Sequence, residues 1–515
     1  MRKDQVAVIE ALRSSNAYPH ATREIRTVET HISWVFLTGD VAYKVKKAVE
    51  LPYLDFSTLE RRERACRDEL ELNRRLAPSL YHEVVGIGGE PGALRIGGEP
   101  AVEFAVSMSQ FPDGAMADEL VGADALEAEA LAELAETLAR FHRTLAPSRA
   151  GSQIERIQTN LDELESGLGG ERAKEIGKIQ GWMRKSIDDL AATFAQREAA
   201  GQVRECHGDL HLGNIVSVDG RLIPFDCLEF SLELRTIDVI DEVAFLVMDL
   251  GAHGRSDLAF GFLNRYLETT GDYEGLRLLR VYAAHRALVR AKVSLASPED
   301  SGSPTDSNAR AYLRAANDNA RPVKPTCIVT SGLSGSGKTT IARRLALGLG
   351  AVHIRSDVER KRLHELAPEA RTDSEVGQGI YAAGATQATY ERLADAAEAA
   401  LSGRLDIIVD ASFLDRGERD RFRTLADRLD ARFAIVHCTA PAAVLRERIV
   451  GRKLEGSDAS EAGLAVLEHQ LQTADAFGDL EREFVHSLDT RDEIDIADLA
   501  RAIRGAADQS SSTSY

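Results

Sequence analysis

Residues 332–339 read Gly-Leu-Ser-Gly-Ser-Gly-Lys-Thr, a full G-x-x-x-x-G-K-[ST] spacing set between an apolar run, Cys327 to Val329, and a helical pattern that starts at Thr340. No other stretch constrains the fold as much. A glycine-rich turn between a strand and a helix lets backbone N–H groups point inward around phosphate oxygens, and the helix start adds its positive end. The spacing makes Gly332, Leu333, Ser334, Gly335, Ser336, Gly337, Lys338, Thr339 and Thr340 the expected nucleotide-phosphate contacts. Lys338 is long enough to reach the β/γ oxygens, and the Thr339 hydroxyl is placed for Mg²⁺.

Such a loop demands α/β surroundings, and the sequence after it supplies them. Apolar runs at 327–330, 351–354, 406–409 and 433–437 alternate with helical stretches, the pattern of a parallel sheet. Upstream, 297–325 is rich in Ser, Pro and Asp and reads as a linker. The expected division is therefore 1–296, the linker, 326–505, and a Ser-rich tail, 506–515, expected to be disordered. A chain of 515 residues needs more than one core. Its net charge of −19 argues against general affinity for nucleic acid, and no apolar run approaches the ~18 residues of a membrane span. The first ten residues lack a signal-peptide pattern, so a cytoplasmic protein with neither nucleic acid nor membrane as partner is expected. Cys66, Cys206, Cys227, Cys327 and Cys438 are scattered and odd in number, and read as reduced, buried thiols.

The first half has a different pattern. Alternation at 32–37 and 41–45, around Thr38-Gly39-Asp40, predicts a β-hairpin, followed by a helix at 59–76 and strands at 84–88 and 101–108. The repeated Ile-Gly-Gly-Glu-Pro at Ile87 and Ile96 reads as turn chemistry, because no lysine follows the glycines. Helical periodicity dominates 125–145 and 154–199. Then comes His207-Gly208-Asp209-Leu210-His211-Leu212-Gly213-Asn214, whose H-x-D-x-x-x-x-N spacing suits a base and a metal ligand on one loop. Asp209 is the candidate proton acceptor and Asn214 a candidate Mg²⁺ ligand. Asp226, after the apolar strand 222–225, is the candidate metal carboxylate. Asp and Asn also favour turns, which is the plainer reading of the same pair. His207 and His211 read as structural, since no third histidine completes a zinc set.

The run 207–214 followed by Phe225-Asp226 resembles the aminoglycoside phosphotransferase and choline kinase group, relatives of the protein kinases. The resemblance spans about residues 25–295 and implies an α+β bilobal protein-kinase-like domain with ATP between its lobes. It implies Lys44, in Val41-Ala42-Tyr43-Lys44, as the ATP-phosphate lysine, with Lys46 on the same strand face as the alternative. Glu69 is the implied partner of that lysine and Glu71 the runner-up. Met108-Ser109-Gln110-Phe111 falls where the adenine pocket is expected, and Asp241 matches a structural aspartate. The turn lacks the G-x-G-x-x-G of protein kinases, which lowers the expectation of a protein substrate.

The C-terminal part resembles the small P-loop kinases, among them gluconate kinase, chloramphenicol phosphotransferase and zeta-toxin-type kinases. That implies an α/β P-loop domain with a parallel sheet. In Arg355-Ser356-Asp357, at a strand's carboxyl end, Asp357 is implied as the acceptor-side catalytic residue, with Arg360 nearby; a helix-capping aspartate is the plain alternative. Asp410, after Ile407-Ile408-Val409, is the Walker-B-like carboxylate for Mg²⁺, and either aspartate fits the role of base. Arg448 and Arg452, four apart in 445–452, resemble an arginine lid over the nucleotide; a solvated basic face is the alternative. Arg416, Arg419, Arg421 and Arg423 fit either an anionic acceptor or a charged helix. The tandem order resembles a bacterial two-domain family of predicted kinases. The expected activity is a bifunctional, ATP- and Mg²⁺-dependent phosphotransferase acting on small hydroxylated molecules, with Lys44, Lys338, Asp209, Asp357, Arg448 and Arg452 catalytic. A nucleotide sensor with one silent site, or a zeta-toxin-like kinase, are the alternatives.

Overall fold

The strand pair around Gly39 is buried on both faces, with Ala42 to Lys46 buried at every position. In the computed structural model, which describes residues 3–51, 54–149, 151–167, 171–296, 304–367, 370, 379–455 and 463–505, Ser33–Leu37 pairs antiparallel with Val41–Lys46, Leu37 opposite Ala42 and Ser33 opposite Lys46. They belong to a six-stranded sheet whose order is Arg26–Glu29, Ser33–Leu37, Val41–Lys46, Ala101–Ser109, Tyr81–Gly88 and Arg95–Ile96. One face, carrying Trp34, Phe36, Tyr43 and Val45, is covered by Val8, Ile9 and Leu12 of the helix Lys3–Leu12. The other face, with Ala42, Val106 and Met108, meets Cys66 of the helix Leu59–Asn73. Period-two alternation places Lys44 and Lys46 on this second face with Ala42. The helix starts where Thr58 caps the Arg61 N–H, and it buries Arg62, Cys66, Glu69 and Asn73 along one stripe.

Each Ile-Gly-Gly-Glu-Pro repeat starts in a strand and runs into a turn, as expected: Ile87 pairs with Ile96 and Gly88 with Arg95, while 89–91 and 97–100 lie in the turns that follow. A Cβ on Gly88 would lie 2.1 Å from the Pro100 carbonyl oxygen, and one on Gly98 would lie 2.1 Å from that of Gly88. The repeat therefore lets two backbones touch.

The chain divides into two compact units, one of residues 1–166 and 194–249, the other of residues 167–193 and 250–515. The stretch read as a linker contains a helix, Pro304–Ala320, in contact with the helix Leu276–Ala296. Its buried Ala309, Tyr312, Leu313 and Ala316 follow i, i+3, i+4, i+7 spacing within a polar composition that hides it.

The second unit holds a five-stranded parallel sheet ordered Val352–Arg355, Ile407–Asp410, Thr326–Ser331, Arg432–Thr439 and Val485–Asp489. The fifth strand, half-exposed and polar (Val-His-Ser-Leu-Asp), gave no apolar run to read. The helix Ser256–Thr270 belongs to this unit and covers the sheet's outer edge. Asn264 donates through Nδ2 to the Ala351 carbonyl at 3.0 Å and accepts the His353 N–H at 2.9 Å, as a neighbouring strand would. Glu268 pairs with Arg355 at 3.2 Å, and the carbonyl of Thr269 accepts from Arg362. All five cysteines are free and buried. Among the described residues, no helix is long and apolar enough to cross a membrane.

Candidate functional site

In the first unit the two lysines of Val41–Lys46 point at one helix residue. Lys44 Nζ donates to Glu69 Oε1 at 2.9 Å, and Lys46 Nζ pairs with Glu69 Oε2 at 2.5 Å. The Lys46 and Glu69 side chains are fully buried and Lys44 is nearly so. Burial would raise the Glu69 carboxyl, but Lys44 and Lys46 outweigh it and hold its pKa lowered to about 2. Lys44 also contacts Asp226, and Lys46 contacts Glu229. Burial pushes the Glu229 carboxyl up against the pull of Lys46. Glu71 lies exposed on the helix.

The loop carrying Asp209 and Asn214 reaches the same place. Asn214 Nδ2 donates to Asp209 Oδ2 at 2.9 Å and to the Asp209 carbonyl at 3.0 Å. Its backbone carbonyl accepts the Phe225 N–H, one residue before Asp226. The Asp209 and Asp226 side chains are 36% and 38% exposed amid buried neighbours, so both carboxylates can meet a ligand. Asn214, turned by its amide, keeps Oδ1 as an oxygen donor beside them. His207 accepts from Asp209 N–H and bonds the Phe225 carbonyl at 2.9 Å, which is a structural role. Phe111 packs edge-on against Phe225 at 4.8 Å.

Residues that spacing did not reveal hold this loop. Glu242 accepts the Gly208 N–H at 2.8 Å and Asp249 accepts that of Leu212 at 2.8 Å. Both lie on the helix Val239–Ala252. Asp241, the expected structural aspartate, pairs with Arg156 at 2.7 Å. The available signal was the seven-residue interval between Glu242 and Asp249, two turns apart on one helix face. Among the described residues, His142, Cys206 and Glu242 group as metal-type ligands. His142 Nε2 lies 2.6 Å from Glu242 Oε2 and the other Glu242 oxygen holds Gly208, so the group serves the loop.

In the second unit the phosphate loop leads into the helix Lys338–Leu349. Gly332 has φ +144°, and a Cβ there would lie 2.3 Å from the Cys438 carbonyl oxygen. The buried Ser336 hydroxyl has no hydrogen-bond partner among the described residues, as suits a cradle whose polar groups face a phosphate. Lys338 Nζ donates to the carbonyls of Gly332 and Leu333 at 2.8 and 2.9 Å. Ser334 N–H donates to Gln470 at 2.8 Å. Thr339 bonds Asp410, whose carboxyl burial would raise but His353 and Thr339 hold below its ordinary range. Thr330 and His353 flank the same carboxylate, at 3.3 and 3.4 Å.

The remaining sequence candidates spread out. Asp357 lies in the first turn of the helix Ser356–Leu363, half-buried. Arg360 bonds the Ile380 carbonyl and Thr386. Arg448 lies against the Gly335 carbonyl and Thr490, with donor distances from 2.8 to 3.3 Å. The side chain of Arg452 lies outside the described residues. Arg419 is buried on Glu481 at 2.6 Å, while Arg416, Arg421 and Arg423 pair with Asp420 and Glu418 of their own helix.

A sheet-bearing unit with paired lysine and glutamate, a base-type loop and a metal-type aspartate, joined to a P-loop on a parallel sheet, defines a kinase-type phosphotransferase coupled to a P-loop kinase-type domain. The family model described as "Phosphotransferase enzyme family" matches residues 54–279, and that described as "AAA domain" matches 327–477. Uncharacterized proteins of Mycobacterium tuberculosis and Mycobacterium bovis are each 32% identical over 447 residues, covering 85% of this chain and 88% of theirs. The chain belongs to this bacterial two-domain family. Among solved structures, a choline/ethanolamine kinase family protein from Mesorhizobium loti is 13% identical, covering 61% of this chain and 95% of that one, with a TM-score of 0.39. A gluconokinase from Sinorhizobium meliloti is 24% identical, covering 36% and 92%, with a TM-score of 0.24.

Proposed function

We propose that the protein is an ATP- and Mg²⁺-dependent phosphotransferase with two separate nucleotide sites, each acting on a small hydroxylated molecule. The observation that carries this reading is the convergence of Lys44, Asp226, Asn214 and Asp209 in one unit, beside a complete phosphate loop with Thr339 and Asp410 in the other. Mg²⁺-ATP would supply the phosphoryl group and neutralise charge on it. In the first unit, Asn214 Oδ1 and Asp226 hold the metal, Lys44 steadies phosphate oxygens, and Asp209 accepts the proton of the acceptor hydroxyl. In the second, loop N–H groups and Lys338 orient the phosphates, Thr339 and Asp410 hold the metal, and Asp357 or Asp410 takes the proton.

The test is a mass-shift screen of a metabolite and aminoglycoside library with Mg²⁺-ATP, run beside Lys338→Ala and Asp209→Ala. A gain of ~80 Da on one compound names the acceptor, and the variant that loses it names the unit. Transfer that survives both substitutions sinks this reading. A nucleotide sensor is the second reading. The contacts of Lys338 and Ser334 with groups of the protein's own chain favour it, and ATP binding without transfer by the P-loop unit would establish it.

A further inference from the structure

The segment 226–229 is held at four points. Asp226 has φ +61°, in the left-handed region that few non-glycine residues occupy, so the aim of its carboxylate depends on what fixes its backbone. Its N–H donates to Tyr81 Oη at 3.1 Å. The next N–H, that of Cys227, donates to Asn73 Oδ1 at 2.8 Å. The same Asn73 amide donates through Nδ2 to the Glu69 carbonyl at 2.9 Å, one turn back on its own helix. At the far end Glu229 meets Lys46, and at the near end Asp226 meets Lys44.

Asn73 thus ties the helix that bears the partner of Lys44 to the backbone that bears the metal-type carboxylate. With both ends of its amide engaged, the Glu69 turn and the Asp226 turn are held as one body. Tyr81 closes the remaining N–H of the strained residue. Tyr81, Asn73 and Lys46 are 1%, 2% and 0% exposed, so they act behind the ligand-facing surface. The Lys46 pair is an addition to the Lys44 pair on the same glutamate.

We propose that Asn73 and Tyr81 are positioning residues that hold Asp226 in its metal-binding orientation before nucleotide arrives, with the Lys46–Glu229 pair anchoring the far end of the segment. This rests on the reading of Asp226 as a Mg²⁺ ligand. It predicts that loss of either side-chain group weakens Mg²⁺ and leaves metal-free nucleotide binding alone, because both side chains are buried and act through the backbone of 226–227.

The test uses the full chain carrying Lys338→Ala, so that fluorescence of a mant-ATP probe reports on the first unit, with half-saturating free Mg²⁺ and probe affinity in EDTA measured separately. Asn73→Ala and the packing-conserving Tyr81→Phe should each raise half-saturating Mg²⁺ by about tenfold or more while probe affinity in EDTA moves less than about twofold. Asp226→Asn sets the limit. If Asp226→Asn leaves the Mg²⁺ dependence unchanged, or no probe binds the parent, the metal-site reading itself fails. If Asp226→Asn removes the dependence but Asn73→Ala and Tyr81→Phe do not shift it, the positioning proposal is overturned. It is equally overturned if both substitutions weaken probe binding in EDTA as much as they weaken Mg²⁺, since that marks support of the fold alone.

Discussion

The two candidate sites hold their lysines against different kinds of partner. In the first unit Lys44 and Lys46 rest on carboxylates, in a group of five charges with Glu69, Asp226 and Glu229 that is buried except at Asp226. In the second, Lys338 rests on two backbone carbonyls of its own loop. The first arrangement makes the catalytic candidates part of the unit's core, because a buried charge that loses its partner keeps its desolvation cost. The second builds the site from backbone geometry, and phosphate would replace carbonyl contacts of the lysine. Stability and chemistry should therefore be entangled at Lys44 and Glu69 and separable at Lys338.

The largest effect expected is on chemistry in the first unit. Asp209→Ala should lower its phosphoryl transfer by about 100- to 10,000-fold, the range for a lost general base, with little loss of fold because the carboxylate is partly exposed. Glu69→Ala should behave differently and unfold the first unit more readily by about 3–5 kcal/mol. Urea unfolding read by hydrogen exchange on peptides of residues 26–109 would show it, and an unchanged midpoint would erase the contrast between the sites. The pH dependence follows the same residue. The Glu69 pKa is depressed on folding, so its contribution is present above the ordinary carboxylate range and is lost as pH falls from about 4.5 toward about 2. Glu229 is shifted the other way, so its contribution grows as pH falls toward about 4.5, and Glu229→Gln should remove that rise without steepening the loss below it.

Lys338→Ala should lower transfer by the P-loop unit about 100- to 1,000-fold, the scale of one lost charge-stabilising donor, with its unfolding midpoint nearly unmoved. A large drop in midpoint would mean that the loop depends on its lysine as the first site does on Lys44. The smallest effect is expected at Thr490→Val, which removes the hydroxyl joining Arg448 to the Thr439 carbonyl. A loss of about 1–3 kcal/mol, read by the same exchange experiment, fits its two hydrogen bonds, one of them to a guanidinium.

Much of this was legible in the sequence because it is local. The phosphate loop, the parallel alternation after it, the hairpin around Gly39 and the loop 207–214 are spacings within a few residues, and each fixes its own backbone. The structure also places Lys44, Glu69, Asp209, Asn214 and Asp226 together. What stayed hidden depends on tertiary pairing. Glu229 is 183 positions from Lys46, Asn73 is 154 from Cys227 and Tyr81 is 145 from Asp226, and a lone Asn or Tyr carries no period that marks it. The helix Pro304–Ala320 was masked by composition, since Ala309, Tyr312, Leu313 and Ala316 sit among asparagines, aspartates and arginines. Arg448 was read from lid chemistry, while its position is set by Thr490 after a strand too polar to read.

Asn264 gives the P-loop sheet its outer neighbour from a helix that lies inside the region matched by the phosphotransferase family model, 54–279. In recombination, the piece that travels is the one whose surfaces are already satisfied. A gene cut at the change of composition near residue 326 would carry a sheet with an uncapped edge, open to pairing with other chains. A cut between residues 249 and 250 would carry the edge and its cap together but leave residues 167–193 of the same compact unit behind. The two halves of the gene are therefore not independent parts to be exchanged at the seam their sequences suggest.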